Sequence, residues 1–175
     1  MKHHQKTDSS TKEYAKLFVI FALLAAAATL MSTLLEFHWT DWMRWFMGGF
    51  FLVFGSFKLI GYEMFVHMFP RYDVIGQRYK LYNYLYPFIE ISLGVAYVLD
   101  IKPLLRDSIT LTIMLIGAYG VAKGLAKRGP TFHCACLGGI IKLPLSTVTL
   151  VEDLVMATMA ALMIIAMVTG QVLSP

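Results

Sequence analysis

The sequence predicts an all-α, polytopic transmembrane helix bundle, and three observations carry the prediction. The chain is 58% hydrophobic and 15% charged, with a mean hydropathy of +0.64, outside the range of a soluble domain of this length. Five stretches are apolar over nearly the length a helix needs to cross ~30 Å of hydrocarbon. The Lys and Arg residues fall unevenly on the two sides that these crossings define. Each stretch is apolar nearly all round, so its period does not identify it. Helix is nevertheless the only open-chain structure that satisfies every backbone donor and acceptor in lipid.

Taken in order, residues 1–13 read as a polar N-terminal tail without regular structure. The first helix is expected from Tyr14 to Leu35. Its apolar run is too long for the core of a cleaved signal peptide. The following Glu36-Phe37-His38-Trp39 offers no small-x-small cleavage site, so a retained helix is expected. Further helices are expected from Trp42 to Gly61, Asn83 to Leu99, Asp107 to Gly124 and Val148 to Thr169, the third being the shortest. Small residues at Ala25 to Ala28, Gly120, Gly124, Ala157, Ala160 and Ala161 allow the close approach on which helix association in lipid depends. Trp39, Trp42 and Trp45, with Tyr79, Tyr82, Tyr84 and Tyr86, read as anchors at the two interfaces. The sequence shows no internal repeat and no soluble domain.

With the N-terminus inside, twelve of the 15 Lys and Arg residues lie on the cytoplasmic side and only Arg44, Lys102 and Arg106 on the other. This predicts a multi-pass protein of a bacterial inner (cytoplasmic) membrane. Its N-terminus and the connection before the last helix are cytoplasmic, and its C-terminus is outside. Basic loops facing anionic lipid account for the formal charge of +4, and no nucleic-acid partner is needed.

Four ionisable residues fall inside the apolar stretches: Lys58, Glu90, Glu152 and Asp153. Counting ~1.5 Å of rise per residue puts all four toward one membrane face, roughly 5 to 10 Å below it. Charges there carry a transfer cost that approaches about 2.5 to 3.5 kcal/mol near the bilayer centre, so they are normally paired and turned to the bundle interior. Lys58 is expected to pair with Glu90, with Glu152 or Asp153 near the loop on that face. The structural alternative is that Lys58 snorkels to the headgroups and that Glu152 and Asp153 only favour a helix N-terminus.

That loop contains Cys134 and Cys136, the only 2 cysteines of 175 residues, within Thr131-Phe132-His133-Cys134-Ala135-Cys136-Leu137-Gly138-Gly139. A thiolate attacks disulfides or binds soft metals, and its pKa falls beside cations and helix N-termini. Lys127, Arg128, His133 and Lys142 supply nearby cations. A disulfide between cysteines two apart closes a small ring, whose strain favours an oxidising, labile bond over a structural one. The competing use is soft-metal capture. Two thiolates and the imidazole of His133 suit Cu(I), although they do not complete a four-ligand zinc site. Met64, His67 and Met68 add soft donors at helical spacing, where packing is the ordinary role of methionine.

Three features together resemble the MauE/DoxX class of redox-associated membrane proteins. They are Gly48-Gly49-Phe50-Phe51-Leu52-Val53-Phe54-Gly55-Ser56-Phe57-Lys58-Leu59, a following helix containing Glu90, and Cys134-Ala135-Cys136-Leu137-Gly138 before a final helix with Leu143-Pro144-Leu145-Ser146-Thr147 upstream of it. The resemblance covers about Trp42 to Val168. It implies a four-helix membrane core over residues 42–169, preceded here by one extra N-terminal helix over residues 14–35. It also implies an accessory role in the maturation or transport of a disulfide-rich partner, of the kind MauE has in methylamine utilisation, or heavy-metal handling as in the wider class.

Two functional expectations follow. In the first, Cys134 and Cys136 cycle between dithiol and disulfide against a partner protein, Lys58 and Glu90 hold the bundle, and Glu152 or Asp153 assists proton transfer. In the second, the same thiols with His133 bind or pass a soft heavy metal received from a donor. A quinone or Cu(I) is a candidate cofactor, lipid is a certain contact, and self-association is open. The sequence does not decide whether the protein is an enzyme.

Overall fold

The computed structural model describes residues 4–34, 37–71, 73–128 and 147–170, and all regular structure among them is helical. The long helices are α1 (His4–Thr33), α2 (Trp39–Ile60), α5 (Lys80–Val98), α6 (Pro103–Arg128) and α7 (Thr147–Val168), with short helices α3 (Tyr62–Met68) and α4 (Val74–Arg78) between α2 and α5. The polar N-terminal segment, expected without regular structure, is helical from His4. No Gly or Pro interrupts 4–33, so nothing stops the spanning helix from continuing outward.

Among the described residues, four segments are long and apolar enough to cross a membrane: Ala15–Thr33, Trp39–Ile60, Pro103–Ala126 and Thr149–Val168. The chain is therefore a multi-pass helical membrane protein. The remaining expected span corresponds to α5, whose polar first turn and buried Asn83 and Glu90 lower its hydropathy. It lies antiparallel to α2, with Gly48 against Tyr97 and Val98, Leu52 against Gly94, and Gly55 against Glu90 and Ile91. Pro103 opens α6 at the position where a missing N–H costs nothing. Past the end of α7, Gly170 takes φ +73, the left-handed conformation that commonly closes a helix.

The bundle is built from two helix pairs, α2 with α5 and α6 with α7, which meet along the edges of α2 and α7 and of α5 and α6. Phe46, Met47, Phe50, Phe51 and Phe54 of α2 form the centre of the core with Tyr97 of α5 and Met156 and Ala160 of α7. Helix α1 lies on the outside of α2 through Leu17 and Ala28, and the Trp42 indole donates to Thr29 Oγ1 at 3.0 Å. The closest backbone approach is at Gly94, where an added Cβ would sit 2.9 Å from the Leu52 amide nitrogen. Because backbone cannot yield as a side chain does, Gly94→Val should destabilise the bundle by about 1 to 3 kcal/mol. Thermal unfolding in detergent should show this, with a smaller shift for Gly49→Ala, whose Cβ meets only the Leu24 side chain.

The connection from α2 to α5 is folded under the bundle. α3 leads into a 3₁₀ turn (Phe69–Arg71) and then α4. Phe65 and Phe69, stacked at 4.8 Å, are buried against Tyr86 of α5 and Val121 of α6. Asp73 caps α4 by accepting from the Gly76 amide at 2.6 Å, and the Asn83 side chain donates to the Gly76 carbonyl at 3.0 Å. At the opposite end of the bundle, Arg106 is buried. It donates to Asp107 at 2.9 Å and Asp100 at 2.8 Å, with its guanidinium carbon 4.2 Å from the Tyr97 ring centroid. Arg106 and Lys58, both included in the count of Lys and Arg on the two sides, are interior ion-paired residues. Removing one from each side leaves the charge asymmetry in place.

Candidate functional site

Ionisable side chains from both helix pairs meet in one cavity. Near the C-terminal end of α2, the Lys58 ammonium donates to Glu90 Oε1 of α5, and the two side chains are only 8% and 3% exposed. The amine also lies 5.0 Å from the Tyr86 ring and 5.7 Å from the Phe65 ring. Tyr86 and Glu90, four residues apart, share one face of α5. Snorkelling of Lys58 to the headgroups is thus replaced by an internal pair with aromatic faces around the cation. The other carboxylate oxygen of Glu90 is buried and makes no hydrogen bond of good geometry among the described residues.

Helix α7 faces this pair with Glu152 and Asp153 in its first turns. Asp153 lies against α6 at Gly117, where a Cβ would stand 3.1 Å from Asp153 Oδ2. The absence of a side chain there gives the carboxylate its place. Glu152 Oε1 is buried without a hydrogen-bond partner among the described residues. Asp73 closes the set from the segment below, and burial pushes its carboxyl above the usual range, opposed by the Gly76 and Ile75 amides. Together with Thr149 and the rings of Phe50, Phe54, Phe69 and Tyr86, these residues enclose a cavity of about 40 Å³. That is room for a few water molecules.

The expected site residues divide into two groups. Lys58, Glu90, Glu152 and Asp153 are brought into this cavity. His133, Cys134 and Cys136 lie outside the described residues. The helices that the cysteine connection joins end at Arg128 and begin at Thr147, and the cavity residues nearest those ends are Val121 and Thr149. Asp73 and Tyr86 escaped the sequence reading. Asp73 carries a legible signal, an acidic residue immediately before a short helical run, whereas Tyr86 was read as an interface anchor and is buried beside Lys58. Met64 and His67 are exposed while Met68 packs toward Phe65 and Phe69. These three therefore do not converge as a donor set.

Among the described residues the cavity sets four carboxyls against one ammonium, an arrangement that can hold protons, orient water, or attract a cation. No three acidic, His or Cys side chains among the described residues are placed to share one metal ion. Compared with known proteins, the chain matches the family model described as "Methylamine utilisation protein MauE" over residues 34–166. The match begins at the end of α1 and closes within α7. No curated protein and no solved structure matches.

Proposed function

The chain belongs to the MauE family, and from that premise we propose that it is a membrane accessory protein that exchanges thiol and disulfide with a partner it helps to mature. The observation that supports this reading is the sequence of the α6 to α7 connection, which carries both cysteines of the chain as Cys134-Ala135-Cys136. In the exchange, one cysteine thiolate attacks a partner disulfide. A mixed disulfide forms and the partner's other sulfur leaves as a thiolate. The second cysteine then displaces the partner. The chain ends as a disulfide, and the partner, reduced by two electrons, takes up the two protons the thiols gave up. Each step is reversible, and the strain of the Cys-x-Cys ring favours the return direction, in which the chain's disulfide oxidises the partner's dithiol and itself takes up the protons. The family is described as a methylamine utilisation protein, which supports reading the role within methylamine utilisation. On this reading residues 42–169 form the working four-helix unit and α1 is an addition to it. The excess of Lys and Arg on the cysteines' side supports a cytoplasmic position for them.

The test is to capture the intermediate. Cys134→Ser or Cys136→Ser should leave a single thiol that holds a partner in a reducible adduct on a non-reducing gel, in one variant and not the other. Labelling intact cells and then opened membranes with an impermeant maleimide, before and after reduction, gives the redox state and the side. A reducible pair labelled only in opened membranes is the expected result. Permanently free thiols in the native chain, with no adduct in either variant, would end the exchange reading. Thiols that label only after a copper chelator is added would transfer the pair to soft-metal handling.

A further inference from the structure

The cavity between the helix pairs has a use that does not depend on the cysteines. Among the described residues, the charges facing it are Lys58 from α2, Tyr86 and Glu90 from α5, Asp73 from the segment before α4, and Glu152 and Asp153 from α7. Helix α6 lines it there with Met114, Gly117 and Val121. Among the described residues, one cation thus faces four carboxyls. An uncompensated carboxylate at membrane depth carries a penalty of several kcal/mol near the centre, so the surplus negative charge needs a positive occupant.

Glu152 Oε1 is buried without a hydrogen-bond partner among the described residues, and the second oxygen of Glu90, 2% exposed, makes no hydrogen bond of good geometry there, with the Tyr86 hydroxyl beside its carboxylate. Both residues line the same space. A buried acceptor without a donor is costly, and a proton on a neighbouring carboxyl supplies the missing donor directly or through one water. Among the described residues, the acidic side chains do not converge in the way a shared metal ion requires.

We propose that this cavity is a proton-binding site in which Glu90, Glu152 and Asp153 share protons taken up from water at the cysteine-loop end of the bundle. Binding has a structural consequence, because Lys58 and Glu90 belong to one helix pair and Glu152 and Asp153 to the other. Protons suppress carboxylate repulsion across the boundary between the pairs, and their loss loosens it.

The experiment is an infrared titration of the full chain in nanodiscs, following the carbonyl stretch of protonated carboxyls by its shift in D₂O. The expected result is a band present at neutral pH and lost as the pH is raised. It should weaken in Glu152→Gln and in Asp153→Asn, and be unchanged in Asp41→Asn at the other end of α2. The native titration alone remains decisive if a variant does not fold. Absence of any protonated-carboxyl band in the folded native chain would overturn the proposal. So would a thermal midpoint at fixed pH that collapses when sodium and potassium are replaced by a bulky organic cation, since the occupant would then be an inorganic ion. Inert cysteines would leave the proton site standing, and a missing band would leave the thiol exchange standing.

Discussion

Lys58→Met should cost the folded bundle about 3 to 5 kcal/mol, the range found when one partner of a buried ion pair is removed. The reason is the asymmetry of the cavity. Glu90 is 2% exposed, and among the described residues Lys58 is the one cation lining the space, so Glu90 loses its charge partner. Glu90→Gln should cost less, because Lys58 keeps Glu152 and Asp153 nearby and the ring faces of Tyr86 and Phe65. The double variant Lys58→Met with Glu90→Gln should recover much of the loss, since no unpaired charge remains. Thermal midpoints of the four proteins in one detergent give the coupling directly. Equal losses in both single variants and an additive double variant would show that the pair does not act as one unit.

The second large effect is expected at the other end. Arg106→Met removes the charge partner of the buried Asp107 side chain and frees Asp100, so a loss of about 3 to 5 kcal/mol is expected again. The local geometry sharpens this. Asp100 and Lys102 take φ 52 and 42, left-handed values that ordinary side chains avoid, and the Arg106 contact to Asp100 holds that turn. Arg106→Lys should recover only part of the stability. An ammonium keeps the charge but cannot span Asp107, Asp100 and the Tyr97 ring with one planar fork. The fraction of monodisperse protein surviving a heat step, read by size exclusion, separates the three proteins.

The sequence discloses the bundle and half of the site for a common reason. A run of apolar residues long enough to cross lipid has one structural solution, and a charge inside such a run has one economical one. Lys58, Glu90, Glu152 and Asp153 could therefore be located by counting along their helices. The other half lies in the connections. A Lys or Arg outside an apolar run is read as a surface charge, which hid the interior role of Arg106. The Phe65, Phe69 and Asp73 segment looked like a loop because its helices are short and its burial is decided by what lies above it. Helices that are apolar all round conceal which face meets which neighbour. That Gly117 makes room for Asp153 is legible only once α6 and α7 are in contact.

The division into two helix pairs also bears on how the chain is made. The first pair to leave the ribosome, α2 and α5, carries Lys58 and Glu90, which neutralise one another before the rest of the chain exists. The last pair is different. α7 brings Glu152 and Asp153, and among the described cavity residues α6 meets them with the bare backbone at Gly117 and apolar side chains. The one cation described in the cavity lies across the boundary, on a helix synthesised long before. Completion of the bundle during biogenesis is thus recorded by a single event, the arrival of the α7 acids at the pre-paired lysine.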